Sequence, residues 1–185
     1  MDQNTSLDQI NKAGFVNIIG NPNVGKSTLM NALVGEKLSI VTSKAQTTRH
    51  RIMGIVNGED YQIVFSDTPG ILKPNYMLQE SMMDFVHTAI TDADIILYVT
   101  DVIEKIDKNK EYIDKLNNVE CPVLIAINKL DESSQAKVIE LVEKWHSLVP
   151  KAEILPISAL NKFNVDTLLK RIVELLPQQH AWYDR

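Results

Sequence analysis

The 185-residue chain has 19 Lys and Arg against 24 Asp and Glu, a formal charge of -5, and 44% hydrophobic residues. That composition excludes a disordered or fibrous chain, and the length suits one compact domain with a sizeable core while being short for two. The acidic balance excludes nucleic-acid binding by bulk electrostatics alone, because neutralising phosphates takes clustered Lys and Arg.

The single cysteine, Cys121, excludes an intramolecular disulfide and reads as a small apolar residue at a strand start. Residues 1–13 are polar and read as a flexible N-terminus without a signal-peptide core. No run approaches the roughly 18 apolar residues of a membrane span, so a cytoplasmic protein is the expectation. The domain is expected over residues 14–177.

The first apolar run, "FVNIIG" (15–20), has strand length and is followed by "GNPNVGKST". This fits the phosphate-loop pattern G-x-x-x-x-G-K-[ST], with Gly20, Gly25, Lys26 and Ser27 in its fixed positions and Asn21, Pro22, Asn23 and Val24 between them. The spacing matters because successive backbone N–H groups must wrap a β-phosphate at the N-terminus of the helix that follows. Lys26 is placed to neutralise β- and γ-phosphate oxygens, Ser27 to ligate Mg²⁺, and Thr28 to reach the α-phosphate. A glycine-rich turn with a chance lysine is the bland alternative, and the strand before and helical "STLMNALVG" after argue against it.

Residues 49–66 hold two β-rich runs around "NGED", a hairpin signal, so one strand of an otherwise parallel sheet should run backwards. The stretch "SDTPGI" (66–71) offers an aspartate for a metal and a glycine for a terminal phosphate, yet Ile71 cannot orient a water molecule. Leu78, Met82, Phe85, Val86, Ala89 and Ile90 recur at helical spacing. The runs 94–101, 122–129 and 153–158 read as strands buried on both faces. Residues 104–120 read as a solvated charged helix and loop. Helical stripes follow at 138–148 and 165–176, with Ser133 or Ser134 and Asn164 as N-caps. Trp145 and Met82 and Met83 fit core stripes, and His50, His87, His146 and His180 form no cluster by spacing.

Two strand-end loops select a base. In "NKLD" (128–131), the Asp131 carboxylate accepts from guanine N1–H and the N2 amine together, a donor pair that adenine lacks. The Lys129 stem covers the base face, and Asn128 reaches either N7 or the phosphate loop. In "ISAL" (157–160), Ser158 and the N–H of Ala159 are placed for guanine O6, with Leu160 beside them.

The ordered set of phosphate loop, "TT", "DTPG", "NKLD" and "SAL" resembles the small G domains, a P-loop α/β fold with a mostly parallel six-stranded sheet in three layers. More narrowly, "IVTSKAQTTRHRIMGI" (40–55) resembles the Era family within the TrmE-Era-Der type, its "QTTR" string being the most specific element. The resemblance implies that Thr48, or failing it Thr47, binds Mg²⁺, that Asp67 holds the metal through water, and that the Gly70 N–H senses the γ-phosphate, with Thr68, Pro69 and Ile71 lining the same loop. It implies GTP and GDP as ligands and slow hydrolysis. Related GTPases with a hydrophobic residue at the Ile71 position carry an asparagine, here Asn23, that helps bind K⁺. Lys26, Asn23, Thr48 and Gly70 are then the expected catalytic set.

The resemblance further implies a role in assembly of the 30S ribosomal subunit and 16S rRNA maturation. Its RNA contact is expected mainly through a KH domain whose signature this sequence lacks, residues 178–185 reading as the start of a linker. A monomer is expected, in the cytoplasm or peripheral at the inner membrane. Lys44, Arg49, His50 and Arg51 form a basic cluster, read either as solvated charges or as an RNA contact. The alternatives are a nucleotide-binding assembly module with negligible hydrolysis, a Der- or TrmE-type GTPase with another RNA target, or a nucleotide kinase, for which "NKLD" has no use.

Overall fold

A computed structural model describes residues 12–35, 38–39, 51–67 and 93–178. The order of elements is β1 (Lys12–Ile19), α1 (Lys26–Val34), β2 (Leu38–Ser39), β3 (Arg51–Asn57), β4 (Tyr61–Asp67), β5 (Ile95–Asp101), α2 (Lys110–Asn118), β6 (Val123–Asn128), α3 (Gln135–Leu148), β7 (Glu153–Pro156) and α4 (Val165–Leu175). One sheet holds all the strands in the order β2-β3-β4-β1-β5-β6-β7. The six expected strands are present, with the two-residue β2 added at an edge. β3 pairs antiparallel with both neighbours and so runs against the others.

The central strands are apolar throughout because both of their faces are covered, and successive residues feed opposite cores. Leu97 and Val99 pack with Leu29 and Leu33 of α1 and Leu168 and Ile172 of α4. Ile96 and Tyr98 pack instead with Tyr112 and Leu116 of α2 and Val138 and Trp145 of α3. Tyr98 lies against both rings, at centroid separations of 5.2 Å from Tyr112 and 5.7 Å from Trp145. The segment 104–120 is therefore amphipathic rather than merely solvated: Lys105, Lys110, Glu111, Asp114 and Glu120 are exposed, while Tyr112, Leu116 and Asn109 are buried.

Helix starts follow two mechanisms. Ser134 caps α3 with its hydroxyl accepting from Lys137 N at 3.3 Å. Asn164 precedes α4 in the left-handed region at φ 60, and its side chain donates to Pro156 O at 2.9 Å instead of capping the helix.

The chain leaves β1 toward α1 on one face of the sheet and β5 toward α2 on the other. Adjacent strands whose connections diverge in this way open a crevice at their carboxyl ends, where ligands of open α/β sheets bind.

Asn17 of β1 and Ser66 of β4 are register partners, fully enclosed, and among the described residues the Asn17 carboxamide and the Ser66 hydroxyl make no hydrogen bond. Buried polar atoms without partners destabilise a fold by about 1–3 kcal/mol each. The double substitution Asn17→Leu with Ser66→Ala is therefore expected to raise stability by roughly 1–2 kcal/mol in thermal or urea unfolding; a loss would show that the polar pair has a partner in the folded ensemble.

Candidate nucleotide site

The phosphate loop bridges the end of β1 and the start of α1, and two glycines make its path possible. A Cβ on Gly20 would sit 2.5 Å from the Val99 carbonyl oxygen, so only glycine lets the loop approach β5. Gly25 has φ 89, and its Cβ would meet Asn128 Nδ2 at 2.3 Å. Asn23 is also left-handed, at φ 71. α1 begins at Lys26, with no acidic side chain in its first turn to oppose an anion at the positive end of the helix. Lys26 is half-buried there, while Ser27 and Thr28 are exposed.

Asn128, at the end of β6, is buried and spoken for on both sides. Its Nδ2 donates to Val24 O at 2.9 Å, and its Oδ1 accepts from Ala159 N at 3.0 Å. Of its two sequence-level roles, the structure gives it the tie to the phosphate loop, and adds a tie to the loop after β7. Lys129 adopts φ 63 and turns its ammonium back, donating to Asn23 O at 2.7 Å and pairing with Asp101 Oδ2 at 3.0 Å. Asp131 Oδ1 accepts from Ser158 Oγ at 2.8 Å, and Leu130 N donates to Ile157 O at 3.1 Å. Ser158 is thereby committed to orienting Asp131, whose other oxygen has no hydrogen bond among the described residues. Leu160 is exposed beside this loop.

The structure thus brings together, at one end of the sheet, residues 20–28, Asn128, Lys129, Asp131, Ser158, Ala159 and Leu160. β4 ends at Asp67 opposite Ile18 of β1, so the backbone of the expected metal-binding aspartate reaches the same edge. Its side chain lies outside the described residues, as do Thr47, Thr48, Thr68, Pro69, Gly70 and Ile71, the helical stripe 78–90 and the Lys44, Arg49 and His50 cluster.

Sequence reasoning passed over Asp101, Glu104 and Asn109. Asp101 Oδ1 accepts from Ile103 N at 2.9 Å and Glu104 N at 2.7 Å. Asn21 Nδ2 donates to Glu104 Oε1 and to Asn109 Oδ1, both at 2.8 Å, and the Tyr98 hydroxyl donates to the same Asn109 oxygen. Burial pushes the Tyr98 phenol well above its usual pKa, which keeps it a neutral donor. A carboxylate at the carboxyl end of a central strand, in "VTD", was the available signal.

Residues 15–129 match the model of a family described as 50S ribosome-binding GTPase. The chain is 45% identical over 173 residues to the GTPase Era of Clostridium perfringens, covering 93% of this chain and 58% of that protein. A crystal structure of an Aquifex aeolicus Era variant bound to GDP.AlF4- superposes with a TM-score of 0.77 at 39% identity, over 94% of this chain and 60% of that one. A structure of Era with MgGDPNP and nucleotides 1506–1542 of 16S ribosomal RNA gives 0.78 at 40% identity, again over 94% and 60%. The chain spans somewhat under two thirds of the length of these relatives.

Gly25→Ala forces a left-handed alanine against Asn128. It is expected to destabilise the fold by about 2–4 kcal/mol, combining backbone strain and loss of the buried amide contact. Urea unfolding measures this, and an alanine variant as stable as the parent would mean that Asn128 is not fixed where the structure has it.

Proposed function

The chain belongs to the 50S ribosome-binding GTPase family, and from that premise we propose that it binds GTP in the crevice between β1 and β5 and hydrolyses it to GDP and phosphate. The observation that carries this reading is the buried Asn128 carboxamide, which joins the phosphate loop to both base-reading loops. Nucleotide and protein therefore meet at a set of fixed backbone donors rather than at independent loops.

In this reading the backbone N–H groups of the loop, which Pro22 alone does not supply, wrap the β-phosphate and Lys26 neutralises the β- and γ-phosphate oxygens. Asp131, oriented by Ser158, accepts from the guanine N1–H and N2 amine, and the Lys129 stem covers the base. Mg²⁺ fits the donors available: Ser27 presents an exposed hydroxyl at the start of α1, and a carboxylate residue ends β4. When bound, it spreads the charge that develops between the β- and γ-phosphates. Thr48, or failing it Thr47, would complete the Mg²⁺ ligands, and the Gly70 N–H would sense the γ-phosphate.

Phosphoryl transfer depends mostly on positioning and charge stabilisation, so Ile71 does not preclude hydrolysis, which is slow. Asn23 supports K⁺ as an additional ligand, because it is exposed and its carbonyl is already taken by Lys129, leaving the side-chain oxygen for a cation. The Era structure holding MgGDPNP and 16S rRNA nucleotides supports a role in small-ribosomal-subunit assembly.

Binding of GTP, GDP and ATP, followed by phosphate release in KCl and in NaCl at matched ionic strength, tests these points together. Guanine selectivity and faster release in KCl are expected. Equal turnover in the two salts removes K⁺, and tight GTP binding without phosphate release leaves a nucleotide-gated assembly module. Asp131→Asn exchanges an acceptor for a donor opposite N1–H and N2, and is expected to weaken GTP binding by about 1–3 kcal/mol while leaving thermal stability little changed.

A further inference from the structure

Among the described residues three loops, after β5, β6 and β7, emerge at the carboxyl edge beside the phosphate loop, and the one after β5 has no part in the reading above. It is nonetheless built tightly. Asp101 is nearly fully buried, with one oxygen accepting two backbone N–H groups of its own turn and the other paired with Lys129 Nζ. Val102 N donates to Asn128 O at 3.2 Å, so this loop is also stitched to the base of the "NKLD" loop. At its far end Asn109 is fully enclosed, and Tyr98, wedged between Tyr112 and Trp145, fixes its oxygen from below.

The two ends of the loop grip the phosphate loop at two places. Asn109 and Glu104 hold the Asn21 side chain at its entry. Asp101 holds Lys129, and Lys129 holds the carbonyl of Asn23 at its crown. Asn23 is a non-glycine residue in the left-handed region at φ 71, which costs about 1–2 kcal/mol for most side chains and less for asparagine, so its surroundings help to fix it. A phosphate-binding loop gains affinity when its N–H groups are already aimed before the ligand arrives.

We propose that Asp101 and Asn109 are positioning residues for the nucleotide, making the β5–α2 loop a clamp that holds the phosphate loop in its binding conformation through Lys129 and Asn21. Neither residue touches the nucleotide. The clamp slows nucleotide release, and it links the base-reading lysine to the same rigid body as the phosphate loop. This rests on the nucleotide-site reading above.

The test uses the 185-residue chain with a fluorescent GDP analogue. Asp101→Asn keeps an oxygen for the Ile103 and Glu104 N–H groups and removes the charge facing Lys129. Asn21→Ala removes the other grip from a half-buried position outside the hydrophobic core. Each is expected to release GDP roughly tenfold faster, the size of a lost charge-assisted or bidentate contact, with the melting temperature of the nucleotide-free protein within a few degrees of the parent. Asp101→Glu, which restores the charge, is expected to recover part of the slow release. If the parent binds no GDP, the nucleotide-site reading fails. If the parent binds and both variants release GDP at its rate, the clamp is refuted. Should Asp101→Asn prove poorly folded, Asn21→Ala alone decides between these outcomes.

Discussion

The functional edge of the sheet depends on one buried side chain, the Asn128 carboxamide. Its nitrogen is spent on the Val24 carbonyl and its oxygen on the Ala159 N–H, both away from water. In such surroundings a broken hydrogen bond is not replaced by solvent, so losing either partner leaves a stranded polar group at a cost of about 1–3 kcal/mol. The requirement reaches into the sequence, because the amide occupies the space where any residue but glycine at position 25 would place its Cβ. Asn128 and Gly25 are thus one constraint written at two positions.

The two-core arrangement explains why the loops meet there. β1 and β5 are buried on both faces and lie side by side, but their outgoing connections turn to opposite sides, so the space above their carboxyl ends cannot be closed by a helix. Each described loop after β5, β6 and β7 is pinned by a residue at or near the strand end: Asp101 after β5, Asn128 and Lys129 after β6, Ser158 after β7. The strands supply the rigidity, and short polar side chains transmit it.

Much of this was legible in the sequence. The apolar runs of β5 and β6 carry the unalternating pattern of strands covered on both faces, and the phosphate loop and "NKLD" have spacings that chemistry imposes. The loop after β5 was harder to read because its key contacts join residues 80 or more positions apart: Asn21 to Glu104 and to Asn109. A charge-rich string looks solvated when its burial is decided by two aromatic residues at α2 and α3. Asn164 was legible as a helix start, but its side-chain bond to Pro156 belongs to the tertiary fold. The two-residue β2 is too short to carry any period.

Lys129 gives the arrangement a further consequence. Its ammonium is bonded to the carbonyl of Asn23 and paired with Asp101, while its backbone joins Asn128 to the turn that carries Asp131. In the proposed site, a base resting on the Lys129 stem therefore touches the same side chain that bonds the phosphate loop at Asn23. Base recognition and phosphate geometry are mechanically one event in such a site, since a misplaced lysine stem would release the left-handed Asn23 from the bond that holds it. In the proposed site, guanine selectivity then acts on the placement of the phosphate-binding groups as well as on affinity, because the wrong base leaves the second Asp131 oxygen without its donors and the stem uncovered at once.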